Sequence, residues 1–165
     1  DIRRIDRRKR QRGIRDRVQR AQAKIRQLAM AKGLQIKVGK LQGPREQGEI
    51  APQSHLATSY GLPRPSSHNR AGGIAAIKKS TWEIFKAGGL NTKGLPQGWC
   101  WNRGEGALKP EQLSHLTQLI EQLPKDVYAL GITPIMAQAY WYEKATPEQL
   151  DDLENVLKEL VSSGF

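Results

Sequence analysis

The sequence predicts a mainly α protein, with a long basic N-terminal helix over residues 1–40, an extended linker over 41–70 and a small helical body over 71–165. Three observations carry that expectation. Apolar residues recur at three- and four-residue spacings in both terminal parts, two Pro-Glu-Gln-Leu helix starts lie near the C-terminus, and Gly and Pro interrupt the middle. A chain of 165 residues has room for one modest domain with extensions.

In the arm, Ile14, Val18, Ala21, Ile25 and Leu28 follow a heptad spacing, as a helix does when one stripe meets a partner. Continued toward the N-terminus, the stripe lands on Gln11, Arg7 and Arg4, so it changes from apolar to cationic near Gly13. One helix of about 30 residues, about 45 Å long, would pack through its second half and present arginine through its first. Gly13 costs about 1 kcal/mol inside a helix, which makes it the expected hinge. The seam is too short for a self-sufficient zipper. Ile14, Val18, Ala21, Ile25 and Leu28 are therefore expected to meet the body, a protein partner or a second copy. Past Lys32-Gly33, the alternation Leu34, Ile36, Val38 predicts one short strand.

Residues 41–70 carry Gly43-Pro44, Gly48, Pro52, Gly61, Pro63 and Pro65 without an apolar rhythm and read as a linker. Leu56, Tyr60 and Leu62 could touch down on a surface in passing, and His55 and His68 are expected to be solvent-exposed. In the body, Ile74, Ile77, Thr81, Ile84 and Phe85 predict a helix from about 70 to 87, capped by Ser67 or Asn69 and stopped by Gly88-Gly89. Trp99 and Trp101 read as core residues, pointing opposite to Cys100 if that stretch is extended. Helices are expected from Pro110 through Leu123 and from Pro147 through Val161, the second with a Thr146–Gln149 capping box. Between them, two short helices are expected, Lys125–Leu130 and Pro134–Lys144. They resemble a helix-turn-helix only in outline, because the second has almost no positive charge to enter a groove.

Charge is where the chain departs from the ordinary. It has 27 Lys and Arg against 16 Asp and Glu, a formal +11. Residues 1–40 alone hold +12, so the rest sums to −1. A basic arm on a near-neutral body is the footprint of a polyanion binder. Arg3, Arg4, Arg7, Arg8, Lys9, Arg10, Arg12, Arg15 and Arg17 are the expected nucleic-acid contacts, DNA or RNA, since the guanidinium fork engages two phosphate oxygens at once. Lys78, Lys79, Lys93 and Arg103 are secondary candidates. An anionic membrane is a poorer partner, because the cationic half offers only Ile2 and Ile5 to insert.

Catalysis is not expected, nor is a cofactor. There is no CxxC, HxH, HExxH or phosphate loop, and three His with one Cys give no recognisable metal set. One cysteine and no apolar run of 18 residues suit a cytoplasmic, nuclear or virion-associated setting. The start at Asp1 is read as part of something longer. The leading expectation is a non-catalytic nucleic-acid-binding accessory protein, sequence-nonspecific or borrowing specificity from a protein bound to its helical body. The alternative is a structural subunit of a virion or ribonucleoprotein particle whose arm and linker thread over neighbouring subunits.

Overall fold

The computed structural model describes residues 2–44, 54–64, 81–88 and 91–165. Helix α1 runs unbroken from Ile2 to Ala31. It ends in a Schellman motif: Leu34 N donates to Ala29 O at 3.0 Å and Gly33 N to Met30 O at 3.0 Å. Gly33 takes the left-handed conformation this requires, φ 84°. The chain then enters β1 (Gln35–Gln42), β2 (Ser54–Pro63), β3 (Trp82–Phe85), β4 (Cys100–Arg103), α2 (Pro110–Gln122), β5 (Val127–Ile132), β6 (Met136–Trp141) and α3 (Pro147–Ser162).

The strands form one sheet in the order β1-β2-β6-β5-β3-β4, and every neighbouring pair is antiparallel. Two register rows describe it. Ile36, Tyr60, Ala139, Leu130, Ile84 and Trp101 lie side by side across the six strands. Together with Leu116 and Leu119 of α2, Leu150, Leu153, Leu157 and Leu160 of α3 and Ile25 and Ala29 of α1, they build the main core. The adjacent row, Lys37, Ser59, Tyr140, Ala129, Phe85 and Cys100, points to the opposite face. There Leu41, Ala57, Phe85, Cys100 and Ala129 make a second, smaller cluster. The sheet coils until its edges approach, and Asn102 of β4 donates to the Gln42 carbonyl of β1 at 2.9 Å.

The mainly α expectation is therefore wrong: among the described residues, three helices accompany a six-stranded antiparallel sheet. The predicted helices Lys125–Leu130 and Pro134–Lys144 are the hairpin β5–β6, which also removes any helix-turn-helix. Gly131, read as a helix stop, lies inside β5, where a Cβ would meet the Trp82 carbonyl at 3.1 Å. Of the helix expected over 70–87, residues 81–87 are described, and Trp82–Phe85 is a strand. The remainder, with Lys78, Lys79 and the proposed caps, lies outside the described residues, as does His68. The stretch read as linker holds the end of β1 and all of β2, with Tyr60 fully buried. The same holds for the 40/41 boundary, which falls inside β1. The helices at Pro110 and Pro147 form as expected, and the Thr146–Gln149 capping box closes with Thr146 N donating to Gln149 Oε1 at 2.9 Å. Trp99 and Trp101 are core residues, and Cys100 belongs to the opposite cluster.

Candidate nucleic-acid interface

Residues 2–24 of α1 carry eleven Lys and Arg and two Asp. Every residue from Ile2 to Ala21 is exposed. Arg3, Arg4, Arg7, Arg8, Lys9, Arg10, Arg12, Arg15 and Arg17 all lie on this stretch. At 3.6 residues per turn they are distributed around the whole cylinder, so no single face is neutral. Arg3, Arg7 and Arg10 share one stripe and Arg4, Arg8 and Arg12 another, at three- and four-residue spacings where like charges repel. Among the described residues, none of these side chains has a carboxylate within ion-pairing distance. Gly13 does not interrupt the helix, which continues through it without a break.

The heptad seam divides in two. Ile25 is buried and Leu28 packs partly against the core. Ile14 remains 62 % exposed and Val18 51 %, and Ala21 is exposed as well. The body thus covers the last two turns of the seam and leaves Ile14, Val18 and Ala21 open.

Two charged clamps hold the base of the arm. Arg26 donates to both carboxylate oxygens of Glu143, at 2.6 and 2.7 Å, and Tyr60 Oη donates to Glu143 Oε2 at 2.8 Å. Glu143 is only 7 % exposed and sits at φ 58°, a conformation few side chains adopt. Burial pushes its carboxyl up, but the hydrogen bonds from Arg26 and Tyr60 and the guanidinium charge outweigh burial and hold it below the usual carboxylate range. The Arg26 guanidinium is correspondingly raised, first by that same hydrogen bond. Lys32 Nζ reaches Asp151 at 2.6 Å and Glu154 at 3.6 Å from α3. Arg26 and Lys32 count toward the basic arm in the sequence, yet both are neutralised internally.

On the sheet's second face, three tyrosines cluster. Tyr128 lies 4.7 Å from Tyr142 between ring centroids and 6.4 Å from Tyr140. Phe85 and His55 approach Tyr128 at 6.1 and 5.8 Å. Burial pushes the Tyr128 and Tyr140 hydroxyls up to about 12, so both remain neutral hydrogen-bonding groups near neutral pH. Beside Tyr140 opens a cleft of about 540 Å³ whose walls include Lys40, Glu83, Arg103 and Gln138. Glu83 accepts from Asn102 Nδ2 at 2.6 Å, and its carboxyl is raised by burial, with the Asn102 hydrogen bond and Arg103 pulling the other way. Arg103 is exposed at this cleft, on the face opposite the core that receives α1. Lys93 is exposed, and its carbonyl accepts from Trp101 Nε1 at 2.9 Å, which fixes the indole rather than offering it to a ligand.

Sequence reasoning missed the clamp and the tyrosine cluster. The clamp leaves no short-range trace, since Arg26 and Glu143 are 117 residues apart. Tyr140 and Tyr142 did carry a signal, a period-two spacing that puts both on one side of an extended chain. Among the described residues, no helix is long and apolar enough to cross a membrane, and no group of three or more His, Cys, Asp or Glu is placed to hold a metal ion. Comparison with protein-family models, with curated proteins and with solved structures finds no match.

Proposed function

We propose that this chain is a non-catalytic nucleic-acid-binding protein whose arm, residues 2–24, grips phosphates. The observation that carries the reading is a helical stretch with eleven cations against two carboxylates, exposed from Ile2 to Ala21 and, among the described residues, anchored only at its base. Like charges held this close repel one another, and a polyanion relieves that repulsion while releasing its counterions. The free length is about 34 Å at ~1.5 Å per residue, close to one turn of duplex DNA. An α-helix also fits the width of the major groove. Contacts of this kind position a protein without reading sequence, so any specificity would come from a bound protein partner.

The test uses the full chain and a variant with Gln at positions 3, 4, 7, 8, 10 and 12, titrated by fluorescence anisotropy against a labelled duplex from 50 to 200 mM salt. The variant is expected to lose about 5 from the slope of log affinity against log salt, at about 0.9 for each lost phosphate contact. An unchanged slope rejects the reading.

A second reading, a structural subunit of a larger assembly, is favoured by one observation. Ile14 and Val18 stand exposed next to each other along the arm, where a protein partner would cover them. Light scattering of the purified chain separates the two. A well-behaved monomer or dimer that binds nucleic acid supports the first, and an aggregating chain indifferent to nucleic acid supports the second.

A further inference from the structure

We propose that the Tyr128–Tyr140–Tyr142 strip on the sheet's second face is a stacking platform for the bases of a single-stranded nucleic acid, DNA or RNA. The proposal rests on the reading that the chain binds nucleic acid and adds which form of it the body recognises.

Three of the chain's four tyrosines stand on this strip. The fourth, Tyr60, is buried in the clamp. Tyr142 is 58 % exposed. Its ring leans against Tyr128, tilted by 31° between ring planes, and a base stacked on it would extend this aromatic pair. Tyr140 carries the strip onward into the 540 Å³ cleft, a volume in the range of small-ligand sites. There the Gln138 amide offers a donor and an acceptor to a base edge, and the Glu83 carboxylate a further acceptor. Among the described residues, all three helices pack toward the other face, and this one has no helix over it.

Charge selects the occupant. Lys144 Nζ lies 5.8 Å from the Tyr142 ring centroid, and Lys86 Nζ reaches the Lys125 carbonyl at the same end of the sheet. Lys37 shares the register row of Tyr140 through Ser59, and Arg103 stands at the cleft. Cations set around aromatic rings suit a strand whose phosphates run along the rim while its bases lie on the rings. A duplex keeps its base faces stacked internally and cannot use the rings. The arm is indifferent to this distinction, because phosphates are common to both forms.

The experiment measures affinity of the full chain for fluorescein-labelled (dT)20, (U)20, a 20-residue abasic strand and a 20-base-pair duplex. The wild-type chain is expected to bind (dT)20 or (U)20 more tightly than the abasic strand. Tyr142→Ala should weaken the tighter of the two by about 5- to 150-fold, the span of one lost base stack. Tyr142→Phe, which keeps the ring, should stay within about 2-fold, and duplex affinity should change in neither variant. Equal affinity for base-bearing and abasic strands overturns the platform whatever the variants do. So does an equal loss, or no loss, for Tyr142→Ala on single strand and duplex. A chain that binds the duplex but shows no base dependence refutes the platform and leaves the arm standing. Binding none of the four probes refutes both.

Discussion

Two helices of this molecule are held up by different physics. Helix α3 buries seven of its 16 residues, starts with a closed capping box and lies along the sheet. Burial of each of its leucines contributes about 1.5–3 kcal/mol, so tertiary packing sustains it. Helix α1 is nearly twice as long and buries only Ile25 and Ala29. Its first 23 residues rely on local propensity, which Arg, Lys, Gln and Ala supply, against like-charge repulsion of about 0.2–0.5 kcal/mol per close pair. The comparison teaches that a chain can display a helix without stabilising it through its core. Such a helix answers to salt and to a bound polyanion, whereas α3 answers to the integrity of the fold.

The sharpest way to break this comparison is one apolar truncation in each helix. Leu157→Ala in α3 is expected to cost about 2–5 kcal/mol in urea unfolding, because its side chain is fully buried. Val18→Ala in α1 should cost less than about 0.5 kcal/mol. If Val18→Ala instead destabilises by more than about 1 kcal/mol, and does so in a concentration-dependent way, the open seam is packed against another copy in solution.

The junction between the two regions comes next. Glu143→Ala leaves Tyr60 Oη and part of the Arg26 guanidinium buried without their acceptor, a loss of about 2–3 kcal/mol once the partial exposure of Arg26 is allowed for. Acid should reveal the same interaction. The Glu143 carboxyl lies lower in the folded chain than its ordinary value of 4.5, so its contribution is fully present above 4.5. It is lost as pH falls from there through the folded value. The wild type is expected to lose stability over that window, and the Glu143→Ala chain to lack that portion. Superimposable pH profiles would show that the clamp is open in solution.

The smallest contrast concerns two glycines. Gly104 sits at φ 74° with its Cβ direction aimed at the Thr81 carbonyl and Trp82 Cβ, both at 2.6 Å. Gly104→Ala should cost at least about 1–2 kcal/mol. Gly13 has nothing within 4 Å of that position, so Gly13→Ala should raise far-ultraviolet helicity by about 1 kcal/mol of local stability without moving the melting temperature of the body. A shift of the whole transition by Gly13→Ala would mean that arm and body unfold together.

The local signals were readable where one mechanism dominates a short window. The Thr146–Gln149 box, the prolines at 110 and 147 and the run of arginine in α1 each declare themselves within a few residues. Strands β5 and β6 did not. Val127, Leu130 and Ile132 are compatible with either period across so short a run, and the register shift between Val127 and Ala129 blurs the alternation further. In β6 the alternation Ala137, Ala139, Trp141 was present, but small residues weaken it. Strand β2 was masked by Gly61 and Pro63, the usual marks of a loop.

Length, composition and charge placement were enough to settle that a +12 segment precedes a near-neutral remainder and that helices begin at Pro110 and Pro147. Those features depend on neighbours along the chain. Only the tertiary structure decided that the middle of the chain is sheet, that Arg26 and Lys32 serve as anchors, and that three tyrosines gather on one face. Strand pairing and ion pairs between residues a hundred positions apart are chosen by the fold as a whole, because a short apolar run has no preferred period until a neighbouring strand supplies its hydrogen bonds.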